Sequence, residues 1–225
     1  MICQSERGPC LQQTIIQTLL ENRIKVANMK LASDDKFAVV AIGASAGGPS
    51  ALELLMSKFP SELPAAIVLS QHMPNGFTKS LAQRLAEVSD LNVKEASSGY
   101  TLSIGEMLIA PGGHNMEIRT GGVIRVEKAP EIGPSPSIDV MMKSTARVYG
   151  PRCVGVLLTG MLTDGVEGMK AIKSCGGITI VQDKTSSLVY GMPKAALDAG
   201  AADIVAHISD ISGQIMAAVG RVISR

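Results

Sequence analysis

The chain has 225 residues, 46% hydrophobic and 18% charged, with 21 Lys and Arg against 20 Asp and Glu for a net charge of +1. Folding at this length buries about 70% of the chain's surface, enough for one compact domain without staples, and the near-zero charge excludes the electrostatic footprint of a nucleic-acid or anionic-membrane binder. Four cysteines without C-x-x-C spacing, a polar amino terminus and no long apolar run read as reduced thiols in a cytoplasmic protein that does not insert into a membrane.

Residues 1–36 differ from the rest. Leu11, Ile15, Ile16, Leu19, Leu20 and Ile24 fall on one face at helical spacing, which predicts an amphipathic helix. The polar break Ser33-Asp34-Asp35-Lys36 then closes an amino-terminal extension. From Phe37 onward, short apolar runs alternate with helix-period segments across glycine or proline turns. The runs are residues 37–42, 65–69, 107–109, 153–158, 178–181 and 203–206; the helical segments are 49–58, 77–88, 138–148, 166–174, 193–199 and 208–222. This alternation predicts an α/β fold over residues 37–225, a doubly wound, mostly parallel sheet with helices on both faces. Residues 115–127 alternate around Thr120-Gly121-Gly122, the pattern of an inserted β-hairpin. Trp is absent and aromatics make up 3%, so the core must be aliphatic and rich in Ala and Met.

The stretch Val39-Val40-Ala41-Ile42-Gly43-Ala44-Ser45-Ala46-Gly47-Gly48-Pro49 carries an apolar strand through a turn of small residues into a helix. Such a turn holds Ser45 up at the carboxyl end of the strand and leaves the following N–H groups facing any developing negative charge. By itself it fits a nucleophile, a phosphate-binding turn or a purely structural turn. The next strand ends in Ser70-Gln71-His72-Met73-Pro74, where a dinucleotide fold would place a ribose-binding acid. If these two strands are neighbours, about 4.8 Å apart, His72 comes within reach of the Ser45 proton. His114, in a turn, and His207, beside the last helix, are weaker candidates. Asp164 follows the apolar strand at 153–158 and precedes a helix; it suits either a carboxylate orienting His72 or a helix N-cap. No His, Cys, Asp and Glu set has metal-ligand spacing, so neither metal nor cofactor is expected.

These residues resemble the catalytic domain of the chemotaxis protein-glutamate methylesterase family, CheB. The resemblance runs from Phe37 to about Val219 through Ile42-Gly43-Ala44-Ser45-x-Gly47-Gly48, Gln71-His72-Met73-Pro74, Ala110-Pro111-Gly112-Gly113-His114, Pro136-Ser137-Ile138-Asp139-Val140, Leu158-Thr159-Gly160-Met161-x-x-Asp164-Gly165 and Gly191-Met192-Pro193. It implies a catalytic triad of Ser45, His72 and Asp164, with oxyanion binding at Ala46 and at the Met161 N–H. It also implies hydrolysis of glutamyl methyl esters on the cytoplasmic domains of methylated chemoreceptors, with deamidation of receptor glutamines as a related activity. Three departures stand out. Ala46 replaces the hydroxyl residue often found after the nucleophile, Leu162 stands where glycine is expected, and residues 1–36 are too few for the receiver domain that usually precedes this one. A stand-alone catalytic domain, or a fragment, follows from the last. Two other classes stay open: a noncatalytic regulatory module on the same scaffold, and a nucleotide-binding oxidoreductase.

Overall fold

Strand β1 (Ala38–Ala44) is buried along its whole length, as an uncharged run of Ala, Val, Ile and Gly requires of a strand covered on both faces. It opens the part of the chain that the structure, a computed structural model, describes: residues 37–225. The amphipathic helix and polar break expected within residues 1–36 lie outside the described residues.

After β1 the elements follow as α1 (Gly48–Met56), β2 (Ala65–Gln71), α2 (Thr78–Val88), β3 (Asn92–Glu95), β4 (Glu106–Ile109), β5 (His114–Arg119), β6 (Val123–Lys128) and α3 (Ile138–Tyr149). Then come β7 (Cys153–Leu157), α4 (Val166–Ser174), β8 (Ile178–Gln182), α5 (Gly191–Asp198), β9 (Ile204–Ala206) and α6 (Ile208–Ile223). Seven strands form one sheet in the order β3-β4-β2-β1-β7-β8-β9, and each neighbouring pair is parallel. The chain thus starts at the centre, winds out to one edge, returns, and winds to the other, which is the doubly wound arrangement predicted. Winding reverses between β1 and β7, and the carboxyl ends of strands at such a point open a crevice.

Alternation along β1 splits the core into two layers. Ala38, Val40, Ile42 and Ala44 enter the layer closed by Leu52 and Leu55 of α1, Leu81 and Leu85 of α2, and Ile211 and Ile215 of α6. Phe37, Val39 and Ala41 enter the other, closed by Met141 of α3, Met169 of α4 and Met192 of α5. The antiparallel pair β5 and β6 adds Met116, Ile118 and Ile124 to this second layer, and the Ile118 N–H donates to Ser144 Oγ of α3 at 3.0 Å.

The predicted elements recur with ends shifted by a few residues, and β3 is new. Its sequence, Asn-Val-Lys-Glu, lacks an apolar run because an edge strand shows one side to water. Lys94 and Glu106 of the adjoining strand pair at 2.8 Å instead.

Candidate active site

Gly47 makes the turn after β1 possible: its φ of 81° lies in the left-handed region open to glycine. The turn is pinned from the neighbouring strand, with the Ser45 N–H donating to the Thr159 carbonyl at 3.0 Å. Thr159 also donates its hydroxyl to the Ala46 carbonyl at 2.9 Å. At Gly160 a Cβ would fall 2.7 Å from that of Ser45 and 2.2 Å from Met192 Sδ, so only glycine lets the 159–163 loop lie against the serine. The N–H groups of Ala46 and Met161, on either side of this contact, donate to no acceptor among the described residues.

His72 follows β2, whose register sets Gln71 opposite Ala44, and its N–H donates to the Ala44 carbonyl at 3.0 Å. The imidazole Nδ1 lies 3.1 Å from Ser45 Oγ, and Nε2 lies 2.8 Å from Asp164 Oδ2. An ionised carboxylate only accepts, so Nε2 carries the hydrogen and Nδ1 presents a lone pair to the serine hydroxyl. Side-chain exposure is 17% for His72 and 6% for Asp164, so the charge-assisted bond between them is shielded from water.

Asp164 does not cap the helix it precedes; Gly165, with φ 98°, holds that position. Its carboxylate instead faces the N-terminus of α3. Oδ2 accepts the Ile138 N–H at 2.7 Å, and Oδ1 accepts the Asp139 N–H at 3.1 Å and the Ser137 hydroxyl at 3.2 Å. Burial works to raise this carboxyl, but the bonds from His72 and from the Ile138 and Asp139 N–H groups prevail and hold it below the usual carboxylate range. The helix is thereby used as a fixed clamp that keeps Asp164 ionised and aimed.

The clamp is reciprocal. Asp139, in the first turn of α3, accepts the Gly165 N–H at 3.0 Å and the Gly168 N–H at 2.7 Å, and so caps α4. Burial and then the charge of Asp164 push the Asp139 carboxyl up, against the pull of the Gly168 N–H. Asp139→Ala orphans two N–H groups of α4 and should lower stability by about 1–2 kcal/mol, with a fall in turnover as the Asp164 turn loosens. Asp139→Asn keeps an acceptor there and should recover most of that stability, which thermal melts of the two variants will check.

In the sequence Asp139 and Gln71 stand out only as members of their motifs. Gln71 Nε2 donates to the carbonyls of Ser45 and His72, both at 3.0 Å, tying the two strand-end turns together. Its position directly before His72 was the one available signal; nothing in the chain order showed which turn its amide would meet. His114 donates from Nδ1 to the Gly112 carbonyl at 3.0 Å, and His207 caps α6, so both serve local structure. Burial pushes the Cys153 thiol up to about 12, which keeps it from acting as a thiolate nucleophile. Cys175 is a free, exposed thiol.

Comparison with known proteins decides the lineage. A family model described as CheB methylesterase matches residues 40–215. The chain belongs to the CheB methylesterase family. A "Protein-glutamate methylesterase/protein-glutamine glutaminase" of Moorella thermoacetica is 49% identical over 186 residues, 80% of this chain and 44% of the relative. One of Pyrococcus horikoshii with the same description is 47% identical, covering 80% of this chain and 50% of the relative. This chain therefore spans about half the length of the curated CheB relatives it matches. The crystal structure of the Thermotoga maritima CheB methylesterase catalytic domain superposes with a TM-score of 0.77 at 37% identity, covering 80% of this chain and 98% of that one. Within this CheB fold, Ala46 and Leu162 leave the bonds from Ser45 through His72 to Asp164 intact. The loop accommodates Leu162 by taking φ 68°, the one positive φ at a non-glycine position among the described residues.

Proposed function

We propose that this chain is the catalytic part of a protein-glutamate methylesterase that acts on methylated chemoreceptor cytoplasmic domains. The observation that carries the proposal is the continuous bond path from Ser45 Oγ through His72 to Asp164 at the carboxyl ends of adjacent strands. His72 Nδ1 takes the hydroxyl proton as Ser45 Oγ attacks the glutamyl ester carbonyl. The free N–H groups of Ala46 and Met161 receive the negative charge that develops on the carbonyl oxygen. Asp164 keeps the imidazole's Nε2–H directed away from the serine and stabilises the imidazolium. His72 then gives its proton to the departing methoxy oxygen, so methanol leaves and a glutamyl ester of Ser45 remains. Water, deprotonated by His72, attacks that ester, and return of the proton to Ser45 Oγ frees the receptor glutamate and the enzyme.

Replacing methoxide by an amide leaving group makes the same sequence a glutamine deamidation that releases ammonia, in keeping with the double name of the relatives. A cytoplasmic location follows from this substrate. No helix among the described residues is long and apolar enough to cross a membrane. The test is methanol release from methylated receptor membranes: the wild-type chain should release it and Ser45→Ala should not. Equal release from both, or none from the wild type, would reject the proposal.

A further inference from the structure

Leu162 is unfavourable on two counts that the fold does not recover. A left-handed backbone crowds its Cβ against the following carbonyl, a strain glycine avoids, and its side chain is 73% exposed. Strain of this kind persists at sites where the surroundings impose it for use. Its place suggests the use. Leu162 lines a cavity of about 470 Å³ with His72, Asp139 and Asp164, so its side chain stands at the rim of the site.

The rim continues on the far side of the serine. Leu188 is 76% exposed, and a Cβ on Gly47 would lie 2.7 Å from the Leu188 Cβ, so Leu188 overhangs the nucleophile turn. It borders a second depression of about 300 Å³ with Gly47, Ser50 and Thr159. Met161, next to Leu162 in the chain, is 56% exposed. Residues 159–163 and 185–193 contain no Asp, Glu, Lys, Arg or His. Ser45 therefore sits between uncharged lips whose exposed large side chains, Met161, Leu162 and Leu188, are all apolar, while Asp139, Asp164 and Glu167 line the cavity wall.

A glutamyl ester has only two methylenes between its carbonyl carbon and its own backbone. Whatever protein carries that ester must bring its backbone down onto these lips. The residues that flank the ester on that protein then land on the lips too. We propose that Leu162 is a specificity-determining residue of this chain, its strained backbone holding an apolar side chain outward to pack against an aliphatic residue that flanks the esterified glutamate. The inference rests on the ester-hydrolase function above and assigns the occupant of the rim as the uncharged, aliphatic surface beside the ester on the protein substrate.

The experiment compares wild type, Leu162→Gly and Leu162→Ala on two substrates: methylated receptor membranes and a small glutamyl methyl ester that lacks neighbouring residues. Glycine adopts φ 68° freely, so the melting temperature of Leu162→Gly should hold or rise, and misfolding cannot explain a loss. In both variants the receptor-to-small-ester ratio of kcat/KM should fall about fivefold, about 1 kcal/mol at 1.4 kcal/mol per tenfold. An unchanged ratio in both variants overturns the inference. So does a fall confined to Leu162→Gly, which would assign the effect to loop backbone, or an equal fall on both substrates. Failure of wild type on the receptor would instead reject the protein substrate itself, and failure on both esters would reject the hydrolase function.

Discussion

Ser45→Ala and His72→Ala should each lower turnover of a glutamyl methyl ester by about 10⁴- to 10⁶-fold, because nucleophile and base act as a unit and either loss leaves only oxyanion binding and positioning. Stability should change little. Both side chains stand at strand ends and outside the two core layers, and the serine hydroxyl bonds to His72 alone among the described residues. The double variant should be no slower than the slower single variant, since the chemistry each supports is already absent. Burst and steady-state methanol assays on folded variants decide the matter. Turnover within tenfold of wild type for either one would remove Ser45 or His72 from the mechanism.

Asp164→Asn should strike turnover and stability together. Turnover should fall by about 10⁴-fold, since an amide opposite Nε2 favours the wrong tautomer of His72. Both Asp164 oxygens accept hydrogen bonds, whereas an amide turns one edge into a donor that faces other donors. An unsatisfied buried group of this kind costs about 1–3 kcal/mol, or roughly 2–4 °C in melting temperature per kcal/mol for a chain of this size. A helix cap alone would lower the melting temperature and spare turnover.

Acid should narrow that stability gap. The folded-state carboxyl of Asp164 lies below its ordinary value, so its stabilisation is full above the unfolded pKa of about 3.9 and is lost as pH falls through the lower, folded value. The difference in unfolding free energy between wild type and Asp164→Asn should therefore be flat above about pH 5 and shrink below about pH 4. Denaturant titrations at a series of pH values measure it. A gap that stays constant down to the acid transition would show that the carboxylate charge contributes nothing.

Much of the site was legible because the signals are local. A strand ending in a small-residue turn presents Ser45 whatever the rest of the chain does, and adjacent parallel strands must bring His72 near it. Asp164 answers to the same strand-end logic, but its environment does not: Gly165 holds the cap of α4, and the carboxylate meets the N-terminus of α3 instead. Edge strand β3 was missed because half-exposed strands need no apolar run, and four residues give too short an alternation to distinguish from a loop.

What the sequence determined by itself is the α/β alternation, the two-sided core and the candidacy of Ser45, His72 and Asp164, each read from the few residues at its own strand end. Tertiary structure decided which imidazole nitrogen meets which partner, the exchange of carboxylates between α3 and α4, the Gln71 tie and the left-handed turn at Leu162. His72 and Asp164 are 92 positions apart and Ile138 and Asp164 are 26 apart. Local periodicity says which face of each helix is apolar, but the rotation and translation with which two helices settle on a sheet depend on how all their side chains pack at once. That packing places one helix's N–H groups against another loop's carboxylate, and no short stretch of residues encodes it.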